Sequence, residues 1–281
     1  MMAIHICETY KCISILIVLL IILIIVRMYL IKKANKRDLE IGVCSTIGNE
    51  EIQENHLGVA YAPHGVLGIL ADGLGKNQSG KISSIVAVET IKKLFLKEGS
   101  KEKINYFFKK SFNTANREIL KRIDNDNGGT SVISTIVVED LLHYALVGDT
   151  MLAVFRDKEL IRISDGHTLD VLAQKEFYKG KILKEQAINA LHNKKLLYYL
   201  GQEPLNNIEI FEKPIKLNKG DIVTLMSRGI YDVLAWTTLE NIIGSNQRVE
   251  EKAKEIIRQI NLNKRTNKNN GSIILMKYVG N

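Results

Sequence analysis

The spacing of apolar residues changes period twice along this chain, and that change constrains its fold more than any other feature. Strand-like stretches come first, over 41–46, 57–60 and 66–71. Ile82, Ile85, Val86, Ile91, Leu94 and Phe95 then recur at helical spacing, and a second helix is predicted over 101–123. Its apolar stripe is Ile104, Phe107, Phe108, Phe112, Ala115, Ile119 and Ile123. The period then drops to two, or to short apolar runs, over 132–138, 142–147, 152–156 and 159–163. Gly148-Asp149 and Asp157-Lys158 mark turns among these four strands. Residues 170–215 are polar and mixed, with one predicted helix over 184–193; strands over 222–226 and 272–278 flank a helix over 249–260. Strands, two helices, strands, then mixed elements predict an α+β fold with antiparallel sheets packed against helix pairs.

The chain has 281 residues, 46% of them hydrophobic, enough for one sizeable core. Its net charge of +8 is unevenly placed. Lys11, Arg27, Lys32, Lys33, Lys36 and Arg37 stand against Glu8 alone in residues 1–37, leaving +3 for the rest. The high charge is thus mostly a flank of the N-terminal segment, and no nucleic-acid partner is expected. Cys7, Cys12 and Cys44 have no zinc spacing and form no disulfide framework. Lipidation of Cys7 or Cys12 is left open.

Residues 12–26 are an unbroken apolar run that resumes after Arg27 as Met28-Tyr29-Leu30-Ile31. About 20 such residues span a hydrocarbon core of about 30 Å. Four basic residues follow within 32–37 against Lys11 on the other side. Basic residues, and no small-residue cleavage site, follow the run, which favours an anchor over a cleaved signal peptide. The expected organisation is a short segment over 1–11, a single-pass anchor over 12–31, a basic linker over 32–40 and a folded domain over 41–281. The positive-inside rule puts that domain in the cytoplasm.

Within the domain, several short motifs occur in a fixed order. Ala71-Asp72-Gly73-Leu74-Gly75 is followed by Ser79-Gly80-Lys81-Ile82-Ser83-Ser84, and Gly129-Thr130-Ser131 by Leu146-Val147-Gly148-Asp149-Thr150. Asp165-Gly166-His167-Thr168-Leu169, Leu200-Gly201, Gly220-Asp221, Ser227-Arg228-Gly229 and Asn269-Asn270-Gly271-Ser272 complete the series. Asp-Gly alone is a common turn, but the ordered series resembles the metal-dependent PP2C (PPM) Ser/Thr protein phosphatases over nearly the whole domain. The resemblance implies a β-sandwich of two antiparallel sheets flanked by helix pairs. It also implies hydrolysis of phosphoserine and phosphothreonine with two Mg²⁺ or Mn²⁺ ions. Hard divalent ions want anionic oxygen ligands, and two close together need several negative charges to offset their repulsion.

The resemblance carries over residue by residue. Asp72 matches the bridging aspartate, Gly73 would offer its carbonyl oxygen, and Asp149 matches an aspartate near a third ion. Asn55, Arg228 and Asn269 stand where the family has acids, and Glu50 aligns with its phosphate-binding arginine. Asparagine can still coordinate through its amide oxygen. Arginine is permanently charged and has no acceptor. Together the three changes make the site about four charge units more positive, at about 4 kcal/mol per unit interaction at 4 Å and an effective dielectric near 20. The expectation is that no two-metal site survives, and that the Arg228 guanidinium pairs with Asp72 in its place. His167 reads as a polar strand-end residue, and His143, Tyr144 and Trp236 as packing residues. Residues 261–270 read as a solvated basic loop.

Three functional readings follow. The first is a pseudophosphatase that binds or scaffolds a protein partner, phosphorylated or not. The second is an active Ser/Thr phosphatase with a reduced Mg²⁺ or Mn²⁺ set around Asp72 and Asp149. The third is a structural subunit of a membrane complex.

Overall fold

Eleven strands build two antiparallel sheets in the computed structural model, which describes residues 18–24, 26–27, 38–76, 78–123, 128–191, 193–205 and 207–280. One compact unit ends at Asp38, and the second runs from Leu39 to Asn281. In the first, residues 18–24 and 26–27 are helical. No helix among the described residues is long and apolar enough to cross a membrane. Most of the anchor predicted over 12–31, and both Cys7 and Cys12, lie outside the described residues.

In the second unit the order is β1 (Leu39–Thr46), β2 (Asn55–Ala62), β3 (Gly65–Leu74), α1 (Ser79–Glu98), α2 (Ile104–Ile123), β4 (Gly129–Val138), β5 (Leu141–Val147), β6 (Met151–Arg156) and β7 (Glu159–Arg162). There follow α3 (Leu169–Tyr178), α4 (Lys184–Ala190), β8 (Glu209–Ile210), β9 (Ile215–Lys216), β10 (Ile222–Met226), the single turn α5 (Arg228–Tyr231), α6 (Trp236–Gly244), α7 (Val249–Leu262) and β11 (Gly271–Tyr278). One sheet has the order β1-β11-β10-β6-β7 and the other β2-β3-β4-β5-β8, with β9 also on β5.

Strand alternation decides where the cores sit. On β3, Leu67, Ile69 and Ala71 face α1 and α2, where they join Val88, Ile91, Phe108 and Phe112. Leu70 points the other way, into a core between the sheets with Ile133, Leu146, Val223, Leu225 and Ile274. A third core packs α6 and α7 on the other sheet, through Leu239, Ile256 and Ile260 against Ile273 and Leu275. The result is four layers, helices outside and two sheets within. The buried Asp221 carboxylate is paired with Arg156 at 2.5 Å and fixes the turn into β10.

The predicted strands and the long helices are present. Four helices depart from expectation. Residues read as mixed and polar contain α3, which buries only Ala173 and so shows no apolar stripe. The helix predicted over 184–193 stops at Ala190. The short helices α5 and α6 precede α7, and Trp236 opens α6 by donating its indole N–H to the Leu160 carbonyl at 2.9 Å.

Candidate functional site

Asp72 shares the parity of Leu70 on β3 and stands at the strand end between the sheets, opposite Asn55 on β2 and Ser131 on β4. Gly73 follows where α1 begins. A Cβ there would lie 2.4 Å from the Gly80 carbonyl oxygen and 2.6 Å from that of Glu54, so only glycine lets the helix start this close. Asp149 sits in the turn between β5 and β6. Gly148, at φ 110°, aims it back under β4. Ser131 Oγ donates to its carboxylate at 3.0 Å and accepts its backbone N–H at 3.2 Å.

Glu50, Glu54, Asp72, Asp149, Arg228 and Asn269 line one cavity of about 430 Å³, with Leu196 and Tyr199 at its edge. Burial, then the nearby Asp149 carboxylate, push the Asp72 carboxyl up to about 8, against the backbone N–H of Arg228. Burial also raises Asp149, and burial with the Glu50 charge raises Glu54. In all three, burial is the leading cause.

Arg228 does not pair as its sequence suggests. Its backbone N–H reaches Asp72 Oδ2 at 3.3 Å. The guanidinium instead donates from Nε to Asp232 Oδ2 at 2.9 Å, and Nη1 stands 3.6 Å from Asp149 Oδ2. The expected Arg228–Asp72 ion pair is therefore replaced by Arg228–Asp232, one turn along the same short helix. Asp232 also accepts from Lys194 at 3.0 Å. Burial works against its charge, yet the Arg228 and Lys194 bonds hold it below the usual carboxylate range.

Of the other residues singled out, Asn55 is buried and does not line the cavity. Its amide donates to the Asn270 carbonyl at 3.1 Å and to Ser272 Oγ at 3.2 Å, tying β2 to β11. Asn270 in turn accepts the Glu54 N–H at 2.7 Å and so holds that segment against the cavity. Two acids that matter were passed over in the sequence. Glu54 stood beside Asn55 in a stretch read for Asn55 alone, and Asp232 was marked only by its four-residue spacing from Arg228. Among the described residues, no group of three or more His, Cys, Asp or Glu side chains is arranged to hold a metal ion. Asp72, Gly73 and Glu54 line one side of the cavity, and their oxygens are of the type a single hard divalent ion takes. They do not fit a pair, because Arg228 and Asn269 occupy the other half.

No family model matches the chain. Among curated proteins, it is 26% identical to a serine/threonine phosphatase stp of Listeria monocytogenes over 200 residues, covering 69% of this chain and 77% of the relative. It is also 26% identical over 204 residues to a protein phosphatase 2C-type of Streptococcus pyogenes, covering 69% and 79%. Among solved structures, the S. agalactiae serine/threonine phosphatase superposes with a TM-score of 0.75 at 21% identity, over 85% of this chain and 99% of that one, a likeness of fold. Ordered motifs, relatives and architecture agree: the chain has the fold of the PP2C (PPM) Ser/Thr phosphatases and is similar to them in sequence.

Proposed function

We propose that this chain is a membrane-anchored, cytoplasmic PP2C-type domain that acts on phosphoserine or phosphothreonine in protein segments with a reduced Mn²⁺ or Mg²⁺ set. The observation that carries the reading is the pairing of Arg228. Its guanidinium is matched by Asp232 at 2.9 Å and approached by Asp149, so part of its charge is offset within the fold and drawn towards the rim. Glu50 and Glu54 remain beside Asp72 in the cavity, and the space between them favours a cation.

Asp72, the Gly73 carbonyl and Glu54 are the groups that would hold the ion. When bound, such an ion supplies charge stabilisation to a phosphoryl oxygen and lowers the pKa of a water. The chain's own part is positioning: Ser131 and the Arg228 N–H fix the two aspartates, and Asn270 holds the Glu54 backbone. The anchor over 12–31 and its orientation rest on the apolar run and basic flank of the sequence.

Arg228 at the place of a family aspartate favours a second reading. In it the domain is a pseudophosphatase that binds or scaffolds without turnover. The full chain in detergent, titrated calorimetrically with Mn²⁺ and assayed on a phosphothreonine peptide, separates the two. Binding and turnover support the first reading. If neither occurs, while a variant carrying Asn55→Asp, Arg228→Asp and Asn269→Asp does both, the second holds and the proposal is lost.

A further inference from the structure

Arg228, Lys194 and Arg265 come from three separate segments and converge on one acid. Lys194 Nζ donates to Asp232 Oδ1 at 3.0 Å and Arg228 Nε to Oδ2 at 2.9 Å, while Arg265 Nη1 donates to the Asp232 backbone carbonyl. The side chains of Lys194 and Arg228 are 53% and 32% exposed, and Arg265 is exposed, so all three present donors to solvent. Among the described residues, no hydrogen bond uses Nη1 or Nη2 of Arg228. Two cations meet one carboxylate and a third caps its backbone carbonyl, with Asp149 approaching Arg228 at 3.6 Å. Positive charge is left over at the cavity's rim.

The opposite wall carries the reverse charge. Glu50 aligns with the phosphate-binding arginine of the family and stands with Glu54 in the same cavity. An anion that entered would be repelled there and attracted only on the Arg228 side. A guanidinium fork and an ammonium held a few ångströms apart match the oxygens of a tetrahedral dianion. Lys268, in the same basic loop as Arg265, is not available, because its ammonium is spent on the carbonyls of Ile260, Asn261 and Asn263.

We infer that Arg228, Lys194 and Arg265, bracketed by Asp232, form a phosphate-monoester site at the rim of the cavity, which takes over the anion recognition lost at Glu50. The family reading enters in the alignment of Glu50 and in naming phosphoserine or phosphothreonine as the source of the phosphate. The site itself needs no metal. Asp232 is its positioning residue: it draws the segment carrying Lys194 to the helical turn carrying Arg228.

The test uses the full chain in detergent without added metal. A fluorescent phosphothreonine peptide and its threonine counterpart are titrated by anisotropy, with inorganic phosphate as competitor. The wild type is expected to prefer the phosphorylated peptide and to release it to phosphate, more readily at high salt. Lys194→Ala with Arg265→Ala should weaken binding about 10-fold, roughly the effect of 1.4 kcal/mol, with an unchanged circular-dichroism melt. Lys194→Ala alone should lose part of that affinity, and Lys194→Arg should keep most of it. Equal binding of the two peptides, or a double variant that binds like wild type, overturns the inference. A parallel Mn²⁺ titration addresses the cation reading alone: phosphopeptide binding without Mn²⁺ binding removes that reading and leaves this site standing.

Discussion

Arg228 reaches Asp72 through its backbone N–H, at 3.3 Å, and not through its guanidinium. The contact does not depend on the side chain at position 228, so Asp72 keeps a partner when any residue but proline replaces the arginine. What a substitution removes is the bond from Nε to Asp232 and the positive charge 3.6 Å from Asp149.

Arg228→Met is therefore expected to act chiefly on electrostatics. The ion pair with Asp232 is partly exposed, and its loss should cost about 1 kcal/mol after screening. The cavity becomes more acidic by one unit, so Mn²⁺ affinity should rise and the melting temperature should climb more steeply with added Mn²⁺. Thermal melts of both proteins over a Mn²⁺ series check this. A variant whose melting temperature is indifferent to Mn²⁺, beside a responsive wild type, would show that Arg228 assists the ion.

Asp221 tests the fold away from the cavity. It is 4% exposed, takes three hydrogen bonds from Arg156 and accepts the Asn218 N–H at 2.7 Å. Asp221→Ala strips the arginine and the turn into β10 of that partner together, and a loss of about 3 kcal/mol is expected. Urea unfolding followed by circular dichroism measures it, and a midpoint equal to wild type contradicts the assigned role.

At Gly73 the close approach of β3 and α1 leaves no room for a side chain. A Cβ would press on two backbone oxygens, and neither can swing aside. Gly73→Ala should cost about 2–3 kcal/mol, the scale of overpacking with backbone movement. It should also disturb the carbonyl offered to the cavity, so Mn²⁺ binding should weaken along with stability. Calorimetry beside chemical denaturation reads both effects. Intact Mn²⁺ affinity in a destabilised variant would exclude Gly73 from the ion's neighbourhood.

The elements that were legible in the sequence are those whose burial repeats. β3 and β4 alternate between two cores, and α2 buries a continuous stripe from Ile104 to Ile123, so the period of each is written in its residues. α3 was not legible because its surroundings bury Ala173 alone. Asp72, Gly73 and Asp149 were found through ordered motifs, which is information about a family and not about packing. The partner of Arg228 was missed for a physical reason. Asp72 and Asp149 lie far from it in sequence and were supplied by the motifs, whereas Asp232, one helical turn away, belongs to no motif. Local i,i+4 pairing outcompeted the long-range partner, as a shorter loop to close would predict.

His167 gives a pH dependence of definite sign. Gly148 donates its backbone N–H to Nδ1 at 3.1 Å, so that nitrogen is an acceptor and the ring is held neutral. The ring is packed edge-on to Tyr198 with centroids 5.6 Å apart. Burial, with the Lys175 charge adding to it, lowers the imidazole to about 4 from its ordinary 6.5. The folded state excludes a proton that the unfolded chain takes up below its own pKa. The resulting stability is whole above about pH 6.5 and is lost as pH falls towards about 4, up to about 3 kcal/mol in all. Glu209, 3.7 Å from Nε2, softens the loss by accepting a protonated ring in part. Other groups titrate in the same range, so the quantity to measure is a difference. Urea midpoints of wild type and His167→Gln should converge on acidification, because only the wild type carries the penalty of protonating this ring. Parallel midpoints across that range would mean that His167 is already free to take its proton in the fold.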